Sequence, residues 1–337
     1  MKPVTMKKLL KDSYGLNVKK IIPKKNIYII KGTDRDFCLK VIRYDYPRLR
    51  TILSAILHLQ NKGFKYVPEI IETVKGDKYI EFENMYGYLS YWIPSRESNY
   101  DDFAEVMQVT EKLAELHFSS TGFNISTEMS PRIYWFKWLE NFKTRQKEIF
   151  DFKKRINQKA NKSEFDNLYL GILEEEIEII DETIEELKAN NYFERMEKEV
   201  FKRGFCHHDF AHHNVLVSEN KGLYVIDFDY CILDTCLHDL SSLIIRVMKN
   251  GKWDIDQASE MLGKYNSVNP IYKNDNKIMA AFIKFPQQFW QLGIQYYWEQ
   301  QPWGEKFFTD KLKKYIEDKE ERSEFTKKLA DSGFKFQ

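Results

Sequence analysis

Three polar side chains in the middle of the chain have the types and the spacing of a metal-dependent site. Asn214 follows Asp209 by five residues, and Asp227 follows two short apolar runs, 215–217 and 223–226. Five turn-forming residues that end in glycine separate the two runs, so the pattern predicts a β-hairpin. Because a hairpin brings its open ends together, we expect Asn214 and Asp227 to face one divalent cation.

The chemistry that fits these residue types is phosphoryl transfer. An asparagine amide and an aspartate carboxylate supply the oxygen ligands that Mg²⁺ prefers. Asp209 lies in a segment too short and too polar for a strand, which predicts a loop carboxylate held beside the metal. Such a carboxylate can accept the proton of an attacking hydroxyl. We predict Asp209 as the base, Asn214 and Asp227 as Mg²⁺ ligands, and ATP or another nucleoside triphosphate as the donor.

The spacing D-x-x-x-x-N, followed by a hairpin and D-F, is shared by protein kinases and by small-molecule kinases of the aminoglycoside phosphotransferase and choline kinase type. The sequence favours the second group. Ala211 stands where the protein-kinase loop usually carries lysine, and Asp229 replaces the glycine of Asp-Phe-Gly. A glycine gives the protein-kinase loop a freedom that Asp229 would restrict. A protein kinase is therefore the more distant alternative.

Five of the seven histidines surround this motif, which raises the alternative of a zinc or di-iron site. They are His207, His208, His212, His213 and His238. Histidine pairs that bind such metals usually have helical spacing and acidic companions, whereas this segment runs into β-branched strand residues. We interpret His207 as bracing the catalytic loop, and His212 and His213 as lying on the rim of the site or facing solvent.

The N-terminal region predicts a small antiparallel sheet that would carry the nucleotide. Residues 19–43 alternate as a three-stranded meander, with Lys40 in the third strand as the candidate ligand of the inner phosphates. Two usual companions are missing, because no G-x-G-x-x-G loop covers the phosphates and the helix predicted at 47–61 has no acidic residue. Lys40 is therefore expected to lack a carboxylate partner.

Further strands complete this sheet. Val67–Val74 and Lys78–Glu83 predict a hairpin, and Tyr86–Ile93 predicts a strand that ends at a proline. A strand that ends in a connector between lobes is where kinase-like folds hold adenine through backbone groups. Trp92 and Ile93 are therefore the candidate adenine-binding residues.

The rest of the chain has mostly helical periodicity. We predict an N-terminal β-rich nucleotide lobe over residues 1–94 and a helical C-terminal lobe over 95–337, with a charged helical insert at about 131–200. Asp239 is predicted to cap a helix and to support the catalytic loop. Aromatic side chains near the C-terminus could line an acceptor pocket. The candidates are Trp290, Tyr297 and Trp298.

The composition bears on which partners the protein binds and in which compartment it is made. Lysine plus arginine (52) and aspartate plus glutamate (51) nearly cancel, so no global charge favours nucleic acid or an anionic membrane. No run of about 18 apolar residues predicts a membrane span, and residues 1–16 lack the apolar core of a signal peptide. The four scattered cysteines predict reduced thiols. We therefore predict synthesis in the cytosolic compartment.

Six segments together carry a resemblance over nearly the whole chain. They are Tyr91–Glu97 (YWIPSRE), Leu113–Phe118 (LAELHF), His207–Asn214, Ile226–Asp229 (IDFD), His238–Leu240 and Phe285–Trp290 (FPQQFW). In these segments the chain resembles the CotS-type spore coat family. The resemblance implies an α+β, two-lobed protein-kinase-like fold, similar to the aminoglycoside phosphotransferase and choline kinase branch. It also implies deposition in the bacterial spore coat, beside other coat proteins.

Two functions follow as hypotheses. The first is an enzyme that transfers the γ-phosphoryl group of ATP, with Mg²⁺, to a hydroxyl of a small molecule or saccharide. The second is a structural coat protein that keeps the kinase-like fold without catalysis. Asp209, Asn214 and Asp227 together favour the first, and the missing glycine-rich loop favours the second.

Overall fold

A computed structural model of the protein describes residues 3–332. The described chain divides into two compact units. Unit 1 comprises residues 3–99, 115–133 and 203–233, and unit 2 comprises residues 100–114, 134–202 and 234–332. All strands of the described residues belong to unit 1, whereas unit 2 consists of helices and loops. The α+β class predicted from the sequence is confirmed.

The elements are numbered in chain order. The strands are β1 (Lys20–Lys24), β2 (Ile27–Lys31), β3 (Asp36–Ile42), β4 (Ile70–Ile71), β5 (Ile80–Phe82), β6 (Met85–Tyr91), β7 (Ser95–Glu97), β8 (Arg132–Ile133), β9 (Val215–Ser218), β10 (Leu223–Val225) and β11 (Ile232–Leu233). The helices are α1 (Pro3–Tyr14), α2 (Tyr46–Asn61), α3 (Phe103–Ser120), α4 (Trp138–Asn157), α5 (Glu164–Ala189), α6 (Tyr192–Lys202), α7 (Leu237–Met248), α8 (Ile255–Asn266), α9 (Asp275–Lys284), α10 (Gln287–Gly293), α11 (Glu305–Glu317) and α12 (Lys319–Asp331).

The main sheet of unit 1 has the strand order β1-β2-β3-β6-β4, with β5 also paired to β6. The predicted meander of residues 19–43 is confirmed, since β1, β2 and β3 pair in sequence and antiparallel. The turn before β3 requires Gly32, because a Cβ there would lie 2.4 Å from the Arg35 carbonyl oxygen. Helix α1 buries Met6 and Leu10 against the apolar face of this sheet.

The predicted hairpin of 67–74 with 78–83 is wrong. Strands β4 and β5 both pair with β6 rather than with each other. The hairpin forms between β5 and β6 instead, through Glu83 and Asn84, which both have positive φ angles of 48° and 58°. Two successive left-handed residues match the right-handed twist of paired strands, so this turn selects the pairing.

A second, three-stranded sheet of unit 1 has the order β10-β9-β7. The predicted hairpin after Asn214 is confirmed, with Val215 opposite Val225 and Val217 opposite Leu223. Strand β7, which the sequence does not predict, adds to its outer edge and pairs Arg96 with Val217. The hairpin that carries the candidate metal ligands is thereby fixed on both sides of β9.

Unit 2 packs its helices around an aromatic core. Phe152 of α4, Phe165 and Tyr169 of α5 and Phe289 of α10 are all buried and lie in ring contact with one another or with Tyr297. The basic helix α4 and the acidic helix α5 pack side by side, and Lys153 of α4 pairs with Glu174 of α5. No helix within residues 3–332 combines the length and the apolar character that a membrane crossing needs.

Helix α7 begins at Leu237, with Cys236 as its N-cap residue. Asp239 therefore lies inside the first turn, and its predicted capping position is wrong. Its carboxylate is buried and lies 3.5 Å from Nδ1 of His238. An acid in the first turn still interacts favourably with the positive end of the helix dipole.

Candidate active site

The loop that carries Asp209 is closed by hydrogen bonds to Asp209 itself. The Ala211 N–H donates to the Asp209 carbonyl oxygen at 2.9 Å. Asn214 Nδ2 donates to the same carbonyl at 2.9 Å and to Asp209 Oδ2 at 3.0 Å. The Asp209 side chain remains 30% exposed. Its carboxylate is therefore oriented by Asn214 and still accessible to a ligand.

His207 links this loop to the strand end that precedes Asp227. Its Nδ1 accepts the Asp209 N–H at 3.3 Å, which leaves Nε2 to donate to the Ile226 carbonyl oxygen at 2.8 Å. The ring is fully buried and makes edge contacts with Phe210 and Phe228. A neutral imidazole with both nitrogens engaged holds its neighbours in place and has no free nitrogen for a metal.

His212 and His213 lie next to this loop and are half exposed. His212 Nε2 is 3.7 Å from a carboxylate oxygen of Glu97, and His213 Nε2 is 3.9 Å from Asp209 Oδ2. These distances exceed a hydrogen bond. Both positions agree with the interpretation as rim or solvent-facing residues.

The hairpin brings Asn214 and Asp227 to the same end of the ribbon. The Ile226 N–H donates to the Asn214 carbonyl oxygen at 3.0 Å, directly before Asp227. Asp227 itself has φ 67° and ψ 66°, in the left-handed region. Few residues other than glycine adopt this conformation, and its appearance in a carboxylate residue is typical of functional sites.

Lys40 has two carboxylate partners, so the expectation that it lacks one is wrong. Its Nζ lies 2.9 Å from Asp227 Oδ1 and 3.2 Å from Asp229 Oδ2. The Lys40 side chain is 7% exposed and that of Asp229 10%. The partners come from the segment after β10 and not from α2. The signal for Asp229 in the sequence is its place two residues after Asp227, which we interpreted only as a restriction on the loop.

The charged groups of this cluster shift one another's pKa values. Burial and the neighbouring Asp227 carboxylate raise the pKa of Asp229 to about 6, although Lys40 opposes the shift. Burial alone would lower the pKa of Lys40, but Asp229 and Asp227 outweigh it and raise that pKa. Two carboxylates therefore share one ammonium ion, and the cluster attracts further positive charge.

The oxygen atoms of this cluster are suitable ligands for a divalent cation. Asn214 uses Nδ2 for Asp209, which leaves its amide oxygen as a ligand atom. Asp229 Oδ1 is buried and, among the described residues, has no hydrogen-bond donor. Amide and carboxylate oxygens are the ligands that Mg²⁺ takes in nucleotide sites. Asn214 and Asp227, with Asp229 as a residue the sequence analysis missed, have the chemistry to hold such an ion.

The candidate adenine-binding residues lie just beyond β6, which ends at Tyr91. The Trp92 N–H donates to the Asp36 carbonyl oxygen of β3 at 3.0 Å. The Ile93 carbonyl oxygen accepts the Ser95 hydroxyl at 2.9 Å. Two of the four backbone groups of this connector are thus already used within unit 1.

The three aromatic residues predicted to line an acceptor pocket lie in unit 2, and each donates a side-chain hydrogen bond to a carboxylate there. Trp290 Nε1 donates to Glu148, and the Tyr297 hydroxyl donates to buried Asp166 at 2.9 Å. Trp298 Nε1 donates to Asp151 at 2.8 Å, and its side chain is 43% exposed. Of the three, Trp298 presents the most surface to a ligand.

Three solved structures of small-molecule kinases are similar to this chain. An aminoglycoside phosphotransferase from Alicyclobacillus acidocaldarius subsp. acidocaldarius has a TM-score of 0.82, with 20% identity over 94% of this chain and 92% of that chain. A spectinomycin phosphotransferase solved with ADP and spectinomycin has a TM-score of 0.66, with 16% identity over 98% of each chain. An amicoumacin kinase solved with AMP-PNP and Ca²⁺ has a TM-score of 0.62, with 13% identity over 99% of this chain and 96% of that chain. The protein therefore has the two-lobed protein-kinase-like fold that its sequence resemblance implies.

The family assignment rests on the sequence. It matches the family described as "Spore coat putative kinase YutH" over residues 7–329. This match covers every segment on which the CotS-type resemblance was based, and it confirms that resemblance. The chain belongs to the YutH family of spore coat kinase-like proteins.

Proposed function

We propose that the protein transfers the γ-phosphoryl group of ATP, or of another nucleoside triphosphate, to a hydroxyl of a small molecule or saccharide. The observation that carries the proposal is the convergence of Asp209, Asn214 and Asp227 with Lys40 inside one compact unit. A purely structural protein gains nothing from carboxylates held this close together, because their mutual repulsion costs stability.

Each residue has a distinct task in this proposal. Lys40 leaves its carboxylate partners in part and binds the inner phosphates, while Asn214 and Asp227 hold Mg²⁺ with support from Asp229. The bound ion would neutralise the phosphate charge that develops during transfer. Asp209, oriented by Asn214 Nδ2, aligns the acceptor hydroxyl and takes its proton. His207 keeps the loop and the hairpin in register.

The remaining predictions complete the proposal. Residues 1–94 form the nucleotide lobe, in which Trp92 and Ile93 contact adenine, and residues 95–337 carry the catalytic loop, the insert at about 131–200 and the acceptor pocket. The aminoglycoside, spectinomycin and amicoumacin kinases of the same fold support a small acceptor. Family membership supports deposition in the spore coat, where other coat proteins are the expected partners.

A structural coat role is the second candidate, and one feature favours it. Strands β1 and β2 are joined by a two-residue turn of Lys25 and Asn26 in which Lys25 has a φ of 51°. This turn offers one exposed lysine side chain, that of Lys25, but no glycine-rich backbone to approach phosphates. In this alternative the carboxylate cluster persists without nucleotide binding.

Nucleotide titration separates the two candidates. Thermal stability is followed while ATP is added with and without Mg²⁺ to the wild type, to Asp227→Ala and to Asp310→Ala, an exposed control in α11. The proposal expects a Mg²⁺-dependent rise in Tm for the wild type and the control that Asp227→Ala loses. Asp209→Asn should keep this rise and lose transfer to any hydroxyl acceptor found in a screen by mass spectrometry. A wild type that millimolar ATP does not stabilise would favour the structural role.

A further inference from the structure

Arg48 lies in the first turn of α2, the helix whose lack of an acid led us to expect an unpartnered Lys40. The Asp45 side chain caps α2 and accepts the Arg48 N–H at 3.0 Å, so the start of the helix is fixed. The Arg48 side chain is 5% exposed and points into unit 1. Its Nη2 donates to the carbonyl oxygens of Asp229 at 2.6 Å and of Cys231 at 2.9 Å.

These two carbonyl groups flank Tyr230 in the short 3-10 turn that follows Asp227. One guanidinium nitrogen shared between them fixes their separation, and with it the curvature of the turn. The Asp229 side chain leaves the same turn towards Lys40. A bond to the Asp229 backbone from one side therefore sets where its carboxylate lies on the other.

Packing alone does not account for an arginine at this position. Arg48 Nε and Nη1 are buried and have no hydrogen-bond partner within the described chain. A buried cation with incomplete hydrogen bonding destabilises a fold, whereas an apolar side chain of similar length would fill the same space at lower cost. Unlike an apolar side chain, the planar guanidinium can hold two acceptors in a fixed geometry.

We infer that Arg48 is a positioning residue, which couples α2 to the metal-binding turn and holds Asp229 against Lys40 and Asp227. In this chain the connection between helix and lysine strand runs through Arg48, the backbone of the turn and the Asp229 carboxylate. Arg48 itself touches neither nucleotide nor acceptor. Its effect on catalysis rests on the proposed function, but its effect on the turn does not.

Nucleotide binding tests the first of these effects. The binding of ADP is measured by calorimetry with and without Mg²⁺ for the wild type, Arg48→Met and Arg50→Met. Arg50 is the matched control, because it lies on the same helix and pairs with Glu128 at 3.2 Å with a 37% exposed side chain. We expect Arg48→Met to weaken Mg²⁺-dependent binding at least tenfold and Mg²⁺-free binding less than twofold. Arg50→Met should change neither.

Amide hydrogen exchange in the nucleotide-free protein tests the second effect. The Cys231 N–H donates to the Phe228 carbonyl oxygen at 3.0 Å across the turn that Arg48 holds. We expect this amide to exchange at least tenfold faster in Arg48→Met and at the wild-type rate in Arg50→Met. Arg48→Lys keeps the positive charge but replaces the planar guanidinium with a shorter side chain that ends in a freely rotating ammonium, so its exchange rate should lie between the two. It replaces the methionine variant if that variant does not fold.

The outcomes are distinct. Unchanged Cys231 exchange in Arg48→Met overturns the inference, as does an equal loss of binding with and without Mg²⁺ or the same loss in Arg50→Met. If the wild type binds no Mg²⁺–ADP, the proposed function fails, and the exchange rates still decide whether Arg48 fixes the turn.

Discussion

Two regions of the molecule were predicted to serve one reaction, but only in the first do the predicted side chains form hydrogen bonds or ion pairs with one another. In unit 1, Asp209, Asn214 and Asp227 lie within hydrogen-bonding or ion-pair distance of one another or of Lys40. In unit 2, Trp290, Tyr297 and Trp298 each donate a hydrogen bond to a different carboxylate. The first region was predicted from spacing on a hairpin and the second from aromatic content. Spacing constrains geometry, whereas composition constrains only the size of a core.

The substitution with the largest expected effect is Tyr297→Ala. The ring is 6% exposed and lies 5.6 Å from the Phe152 ring, so its removal should lower the free energy of unfolding by about 3–5 kcal/mol. Urea denaturation measures the loss. Tyr297→Phe removes only the hydrogen bond to Asp166 and should cost about 1 kcal/mol. A stable Tyr297→Ala protein that no longer phosphorylates its acceptor would instead favour the pocket role.

The next test concerns a buried carboxyl of unit 2 that has no predicted catalytic role. Asp234 accepts the Trp138 indole N–H at 2.9 Å, and burial raises its pKa to about 7, although His238 and that hydrogen bond oppose the shift. The folded state therefore favours the protonated acid. Its contribution to stability is complete below the unfolded pKa of about 4 and is lost as the pH rises through about 7.

Asp234→Asn should remove this dependence while keeping an acceptor for Trp138. Between pH 5 and pH 8 we expect the wild type to lose stability relative to Asp234→Asn, on the order of 3 kcal/mol. Urea denaturation across this range checks the difference. Parallel curves for the two proteins would show that burial does not raise the pKa of Asp234 into this range.

Lys40→Met tests whether the Lys40 ammonium and Mg²⁺ share the carboxylates of Asp227 and Asp229. Without the ammonium ion, Asp227 and Asp229 face each other unneutralised. We expect the affinity for Mg²⁺–ADP to fall about 10–100-fold, or about 1.4–2.8 kcal/mol, because a charge-assisted contact to phosphate is lost. Mg²⁺ alone should raise the Tm of Lys40→Met more than that of the wild type, since the cation can replace the ammonium. Equal Tm shifts in the two proteins would contradict the shared site.

The smallest expected effect belongs to Trp298→Phe. This change removes the bond to Asp151 from a side chain that is 43% exposed, so it should cost less than about 1 kcal/mol. Thermal unfolding measures the change, and nucleotide binding should stay at the wild-type level. A loss of acceptor turnover without a loss of stability would return Trp298 to the acceptor pocket.

Local signals predicted much of what the structure contains. The apolar runs around the turn at 218–222 predicted the β9–β10 hairpin, and the hairpin alone brought Asn214 to Asp227. The alternation of residues 19–43 predicted three consecutive strands. These features depend on residues close together in the chain, so turn chemistry and periodicity suffice to specify them.

Tertiary structure decided the contacts that join distant segments. No sequence pattern indicated that β4 and β5 would share β6 as their partner, that β7 would extend the hairpin sheet, or that Arg48 would reach a carbonyl 181 residues away. The absence of an acid in α2 was correct as a reading of the sequence, but the conclusion that Lys40 lacks a partner was not. Side-chain length and burial allow any nearby carboxylate to take that place, and only the folded chain decides which carboxylate is near.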